Sequence, residues 1–298
     1  MDGAGRSAST GTGSGRGQRR WYRSYLYVPA IEPRRMERAL ASDADAIVLD
    51  LEDSVPLDRK DEACRAARDF LLGMPPKPTF VRVNAFNSGL LKADIEAVAC
   101  EGLAGVRLPK AENSNHVRFV LGQLRQHGCD VPIVPIIESA LGVERAVEIA
   151  SADHDVAAMA MGEADLRLDL GTSDDQVLDH ARARCVIASR AAGLPGPIQS
   201  VWTQVHDDEG LLATTLRGRA MGFSGRSAIH PGQLSVINEV FTPSQDELRW
   251  ALEVLDSYRR AGRTGGAATA VTPSGEFVDL PVVRRAAAIV ELAGPPSG

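Results

Sequence analysis

The chain has 298 residues, 44% of them hydrophobic, and its 33 basic and 39 acidic side chains give a formal charge of -6. That length and apolar share suit one large α/β barrel or two ordinary domains, with enough material for a sizeable core. A negative balance, with no basic run or interleaved stacking aromatics beyond the N-terminal tail, argues against nucleic acid and anionic lipid as partners, and no run of about 18 apolar residues is present to span a membrane.

Residues 1–20 are a glycine- and serine-rich, arginine-bearing tail, expected to be disordered. Beyond it, short apolar runs alternate with amphipathic stretches of helical spacing. Eight runs read as strands: Ser24 to Ala30, Ala46 to Glu52, Thr79 to Asn84, Gly105 to Lys110, Pro132 to Ser139, Val156 to Gly162, Pro197 to Trp202 and Ser227 to His230. Helical patterns cover Asp58 to Leu72, Leu90 to Cys100, Asn113 to His127, Gly142 to Ala150, Asp174 to Ala192 and Asp207 to Met221. This alternation over about 220 residues predicts a (β/α)8 TIM barrel across residues 21–242. A doubly wound open sheet is the alternative, but YVPAIEP after the first strand lacks the glycine-rich dinucleotide loop such a sheet carries.

Residues 243–298 lie outside the barrel count and read as a C-terminal extension. Asp246 to Arg260 predicts a helix, Ala261 to Gly275 a flexible stretch, and Val282 to Leu292 a short helix entered past Asp279. The extension caps the barrel, swaps onto a neighbouring subunit or frays, and composition leaves these open. Cys64, Cys100, Cys129 and Cys185 are scattered without ligand spacing and are expected as reduced thiols of a cytoplasmic protein.

Three acidic stations close separate apolar runs: Asp50, Glu52 and Asp53; Glu138; and Asp165. In a parallel barrel the strand C-termini share one face, and a carboxylate emerging there from an apolar strand is costly unless a charge or a metal satisfies it. Asp50 and Glu52 share strand parity with Val48 and should project toward the axis, while Leu49 and Leu51 face the helices. All-oxygen ligands with few histidines suit magnesium or manganese. Other readings for these acids are that Glu138 caps the following helix and Asp165 pairs with Arg167. Arg82 and Lys110 end two more strands, where a bidentate guanidinium and a point charge serve an anionic substrate; ion pairs with Glu52, Asp53 or Glu112 are the alternative. No lysine reads as a Schiff-base nucleophile, no Ser/His/Asp arrangement is evident, and His230 reads as support for a strand end.

The stretches RSYLYVPA (23–30), VLDLEDSVP (48–56), VRVN (81–84), LPKAE (108–112), PIIESALGVERAVEIA (135–150), MGEADLRLDLG (161–171), GFSGRSAIHPGQLSVINEVFTPS (222–244) and GEFVDLP (275–281) occur in that order. Together they resemble the citrate lyase β-subunit-like branch of the HpcH/HpaI aldolase family, which includes malyl-CoA and citramalyl-CoA lyases. The resemblance implies a TIM barrel that binds Mg2+ through Glu138 and Asp165; Glu138, like Lys110 at its strand end, is expected beside the substrate. It implies that Arg82 contacts the substrate's carboxylate and carbonyl oxygens, and that Glu52 and Asp53 organise that arginine and water on the metal. Asp279 matches an aspartate of the extension that reaches a neighbouring subunit's site, so a homo-oligomer, trimer or hexamer, is implied.

The chemistry implied is cleavage of a 3-hydroxyacyl-CoA thioester into an acyl-CoA and an α-keto acid. The alternatives are a CoA-independent aldolase, or a citrate lyase β-type subunit that needs an acyl-carrier partner. The structural alternative for Asp279 is the N-cap of the helix that follows. The chain departs from the pattern at Gln199, at Trp202 to Gln204, and at Arg226, where relatives often carry lysine; these touch selectivity more than chemistry. Arg34, Arg35, Arg38 and Lys60 are candidates for a basic surface facing CoA phosphates.

Overall fold

The computed structural model describes residues 22–265 and 269–293, so the expectation for the N-terminal tail lies outside the described residues. Eight parallel strands form a closed barrel: β1 (Ser24–Pro29), β2 (Ala46–Asp50), β3 (Thr79–Arg82), β4 (Gly105–Leu108), β5 (Ile133–Ile137), β6 (Ala160–Met161), β7 (Ile198–Gln199) and β8 (Gly225–Ala228). β8 pairs back onto β1, with Ser24 opposite Arg226, which rules out the open sheet. β8 keeps the predicted four residues but starts two earlier, at Gly225, whereas β1 to β7 are each shorter than the apolar run that predicted them, because the runs continue into the turns at the barrel mouth. The effect is largest at β6, where Val156 makes one isolated bridge to Ile133 before the chain pairs again at Ala160.

The helices between the strands are α1 (Pro33–Leu40), α2 (Lys60–Leu72), α3 (Leu91–Val98), α4 (Ser114–Gln126), α5 (Ala140–Glu144), α6 (Ala146–Ala150), α7 (Glu163–Leu170), α8 (Asp175–Ala191), α9 (Asp208–Met221) and α10 (Leu234–Phe241). The predicted helix from Gly142 to Ala150 is broken at Arg145, whose ψ of 12° interrupts the helical path between α5 and α6. The pattern missed α1 and α7 because they present little apolar surface. Only Met36 and Ala39 are buried on α1, and only Leu166 on α7. Caps fix the entrances: Asn113 accepts from the His116 amide at α4, and Ser139 from the Gly142 amide at α5.

Strand parity separates two cores. Ile47, Leu49 and Leu51 join the layer between sheet and helices, whereas Ala46 and Val48 face the interior with Tyr25, Phe80, Val134 and Ile136. Leu49 and Leu51 are fully buried, each worth about 1.5–3 kcal/mol of apolar transfer. Inside the barrel Tyr22, Tyr25 and Phe80 meet edge to face at 5.6–6.0 Å, a geometry that suits their ring quadrupoles.

After α10, α11 (Gln245–Gly265) packs antiparallel hairpin strands β9 (Ala270–Val271) and β10 (Phe277–Val278) and then α12 (Leu280–Ala293). Ala251, Val254, Val278 and Ala286 form a separate small core there. The stretch expected to be flexible from Ala261 to Gly275 thus begins inside a longer helix and contains β9, the first strand of the hairpin. No helix among the described residues is long and apolar enough to cross a membrane.

Candidate active site

Asp50 is the last residue of β2 and turns into the barrel mouth, as its parity with Val48 predicted. It meets Arg82, the last residue of β3, through two parallel contacts: Nε to Oδ1 and Nη2 to Oδ2, each 2.7 Å. Arg82 Nη1 also lies 3.0 Å from Glu52 Oε2 and 3.1 Å from Asp53 Oδ2. Burial alone would raise the Asp50 pKa, but the Arg82 bonds reverse this and hold it below the ordinary carboxylate range. Burial alone would lower Arg82, and its pairing with Asp50 instead raises it, so this base stays charged. Its fork is fixed in direction by three acids.

Lys110 follows β4 with φ of 50°, a left-handed conformation that a residue with a Cβ adopts at a cost of about 1–3 kcal/mol. The turn presents the Lys110 amide to Glu138 Oε1 at 2.7 Å, while Nζ reaches Glu52 Oε1 at 2.7 Å. Arg82 and Lys110 are therefore both found in ion pairs with the first acidic station. Burial raises the Glu52 pKa, Arg82 and Lys110 oppose the rise, and Asp53 adds to it.

Glu138 leaves β5 only 4% exposed. Ser139, not Glu138, caps the next helix. Burial first, then the neighbouring charge of Glu52, with Asp165 adding, pushes the Glu138 carboxyl up to about 8. Its Oε2 lies against Gly162, where a Cβ would sit 2.1 Å away, so the backbone leaves this carboxylate its space. Asp165 stands in the first turn of α7 rather than on the strand itself. It is half-buried and makes no hydrogen bond or ion pair among the described residues; Arg167 pairs with Asp175 instead.

Asp50, Asp53, Arg82, Glu138, Gly162 and Asp165 all line one cavity of about 450 Å3 at the mouth. Glu52 and Lys110 are not in that wall and reach it through Arg82 and Glu138. An acid with a raised pKa beside an unpaired acid, in an all-oxygen setting, fits a hard divalent cation held by Glu138 and Asp165. Asp153, His154 and Asp155 also cluster, but they lie on the loop before β6, where Arg125 pairs with both acids.

Asp279 is not in the cavity wall. Within this chain its carboxylate accepts the Val282 amide at 3.2 Å and caps α12. Lys60 is not a surface group: Nζ donates to Leu51 O at 2.6 Å, Glu52 O at 2.7 Å and Asn84 Oδ1 at 2.8 Å, and so ties the turns after β2 and β3 together. Arg226 faces α9, donating to Thr214 and Thr215, so this departure braces β8 from outside and leaves the cavity unaltered. Gln199 likewise bonds Thr214 O on α9.

Sequence reasoning missed Gly162 and Arg107. Arg107 is wholly buried inside the barrel, and its signal was parity: in GVRLPK it alternates with Val106 and Leu108, which face the helices.

Residues 23–231 match the HpcH/HpaI aldolase/citrate lyase family. The chain is 30% identical over 294 residues to the mitochondrial citramalyl-CoA lyase of Rattus norvegicus, covering 91% of this chain and 86% of that protein. It is 32% identical over 283 residues to the citrate lyase subunit beta of Leuconostoc mesenteroides subsp. cremoris, covering 91% and 93%. The crystal structure of protein CitE from Mycobacterium tuberculosis in complex with magnesium, acetoacetate and coenzyme A superposes with a TM-score of 0.76 at 31% identity, covering 93% of this chain and all of that one. The chain belongs to the HpcH/HpaI aldolase/citrate lyase family of lyases.

Proposed function

We propose that this protein is a magnesium-dependent lyase that cleaves a 3-hydroxyacyl-CoA, of the citramalyl-, malyl- or citryl-CoA kind, into an acyl-CoA and an α-keto acid. The observation that carries this reading is the pairing, in one cavity, of Glu138 and an unpaired Asp165 with an arginine whose fork Asp50 fixes. The CitE complex with magnesium, acetoacetate and coenzyme A supports the ligand classes. When bound, magnesium would draw on the substrate's hydroxyl and adjacent carboxylate and lower the hydroxyl's pKa.

Arg82 orients the substrate by donating to its carboxylate and carbonyl oxygens, and Asp50, Glu52 and Asp53 keep the guanidinium from turning away. Lys110 holds Glu138 through its amide and Glu52 through its ammonium, which keeps the acidic wall in one arrangement. The hydroxyl proton passes to water, and the electron pair left on oxygen forms the carbonyl of the keto acid as the bond between the second and third acyl carbons breaks. That bond's electrons become the enolate of the acyl-CoA, which takes a proton at carbon. Asp279 of a neighbouring subunit supplies that proton, which requires a homo-oligomer, a trimer or hexamer, with residues 243–298 reaching across.

The similarity to a citrate lyase subunit beta favours one further reading, a subunit that acts only with an acyl-carrier partner. Keto acid release from malyl-, citramalyl- and citryl-CoA by the purified chain separates the two. Release from a free ester supports the lyase. No release from any, with turnover restored on an acyl-carrier thioester, replaces it with the subunit.

A further inference from the structure

Arg107 enters a barrel interior that is largely apolar and aromatic. Its guanidinium crosses the axis from β4 to the opposite wall, where Nη1 donates to Tyr27 Oη on β1 and Ser227 Oγ on β8, each at 3.0 Å. The guanidinium carbon lies 4.3 Å from the Tyr25 ring centroid. Among the described residues Nε and Nη2 have no hydrogen-bond partner, and no carboxylate pairs with this arginine. A buried cation left in that condition is costly, and its donors call for an acceptor.

Arg107, Tyr27 and Ser227 all line the cavity that holds Glu138 and Asp165. A guanidinium can only donate, so at both contacts the hydroxyl oxygen accepts and its own hydrogen remains free to donate. The result is one cation and two O–H donors, a composition suited to an anion. The other arginines in the wall are already paired, Arg35 with Glu32 and Arg82 with Asp50. Arg107 is therefore the wall arginine, among the described residues, that lacks a carboxylate partner.

We propose that Arg107, with the Tyr27 and Ser227 hydroxyls, forms a second carboxylate-binding subsite that selects acyl groups carrying a carboxylate beyond the one beside the hydroxyl. This rests on the reading of the cavity as a 3-hydroxyacyl-CoA site. Of the three ester kinds considered, only the citryl type has a carboxylate left over once the hydroxyl and its neighbouring carboxylate are engaged. The subsite therefore assigns a 2-oxodicarboxylate, rather than pyruvate or glyoxylate, as the keto acid product.

The test is calorimetric titration of the magnesium-loaded protein with freshly prepared oxaloacetate and with pyruvate. Wild type should bind oxaloacetate at least about tenfold more tightly than pyruvate. Arg107→Met should weaken oxaloacetate by about 30-fold and pyruvate by less than about threefold. Tyr27→Phe and Ser227→Ala, which keep the guanidinium, should each weaken oxaloacetate by roughly three- to tenfold with pyruvate unchanged, and they decide the matter if Arg107→Met does not fold. Equal wild-type affinity for the two acids, or variants that weaken both alike or neither, overturns the subsite. Because the titration needs no turnover, a selective subsite in a protein that cleaves none of the esters would overturn the lyase reading and leave the subsite standing.

Discussion

Replacing Gly162 by alanine places a methyl carbon 2.1 Å from Glu138 Oε2, 2.8 Å from its Cβ and 3.1 Å from its Cδ. The backbone does not resist the change, since φ of -115° at Gly162 is open to any residue. The whole conflict therefore falls on the Glu138 side chain, which must move by about 1 Å to reach ordinary contact. Overpacking of this kind costs about 1–3 kcal/mol, a fall in Tm of roughly 2–10 °C for a chain of this size. The larger effect is on function: a displaced ligand should weaken magnesium by about 10–100-fold and slow turnover by about 100-fold. Calorimetric titration with magnesium, beside a melting curve, reads both. Gly122→Ala is the control, because a Cβ there meets nothing within 4 Å on α4. A folded Gly162→Ala protein that binds magnesium within about threefold of wild type would refute the assignment of Glu138 as a ligand held by that contact.

Arg82→Lys keeps the charge but loses the two-pronged contact with Asp50, so kcat/KM should fall by about 100-fold or more while Tm drops by only a few degrees; an activity within about fivefold of wild type would deny the need for a fixed fork. The Glu138 carboxyl, raised to about 8 from an ordinary 4.5, makes the metal-free native state hold a proton that the unfolded chain releases. Its stabilising effect is thus complete below pH 4.5 and lost as pH rises to about 8, and Tm in chelator should decline over that window more steeply than in Glu138→Gln. Magnesium affinity should rise roughly tenfold per pH unit up to about 8, with proton release on binding; a flat profile would contradict the shift. Asp279→Ala should cost about 1 kcal/mol through the α12 cap, yet abolish turnover. Mixed with inactive Glu138→Ala after verified subunit exchange, it should regain activity, and no recovery would count against a shared site.

The barrel was legible because buried parallel strands leave apolar runs that end in turns, and the acids ending those runs marked the mouth. Parity alone placed Asp50 toward the axis and Leu49 and Leu51 outward. What escaped was surface-poor or space-driven. α7 has one buried residue, so Asp165 read as a strand end although a helix turn carries it. Gly162 matters for a clearance from Glu138 that no local pattern encodes. Lys60 looked like an exposed base, and only the convergence of the turns after β2 and β3 shows its three acceptors. Asp279 reads from a single chain as a helix cap, because a role across subunits leaves no trace in one chain's contacts.

The central claim is that Glu138 and Asp165 hold a divalent cation needed to cleave a CoA ester. Its most direct test is keto acid release from citryl-, citramalyl- and malyl-CoA by metal-stripped protein before and after magnesium is restored. The account predicts release from one ester that is absent in chelator, returns with magnesium, and is missing in Glu138→Gln. Release that persists in chelator, or that survives in Glu138→Gln at the wild-type rate, would contradict it.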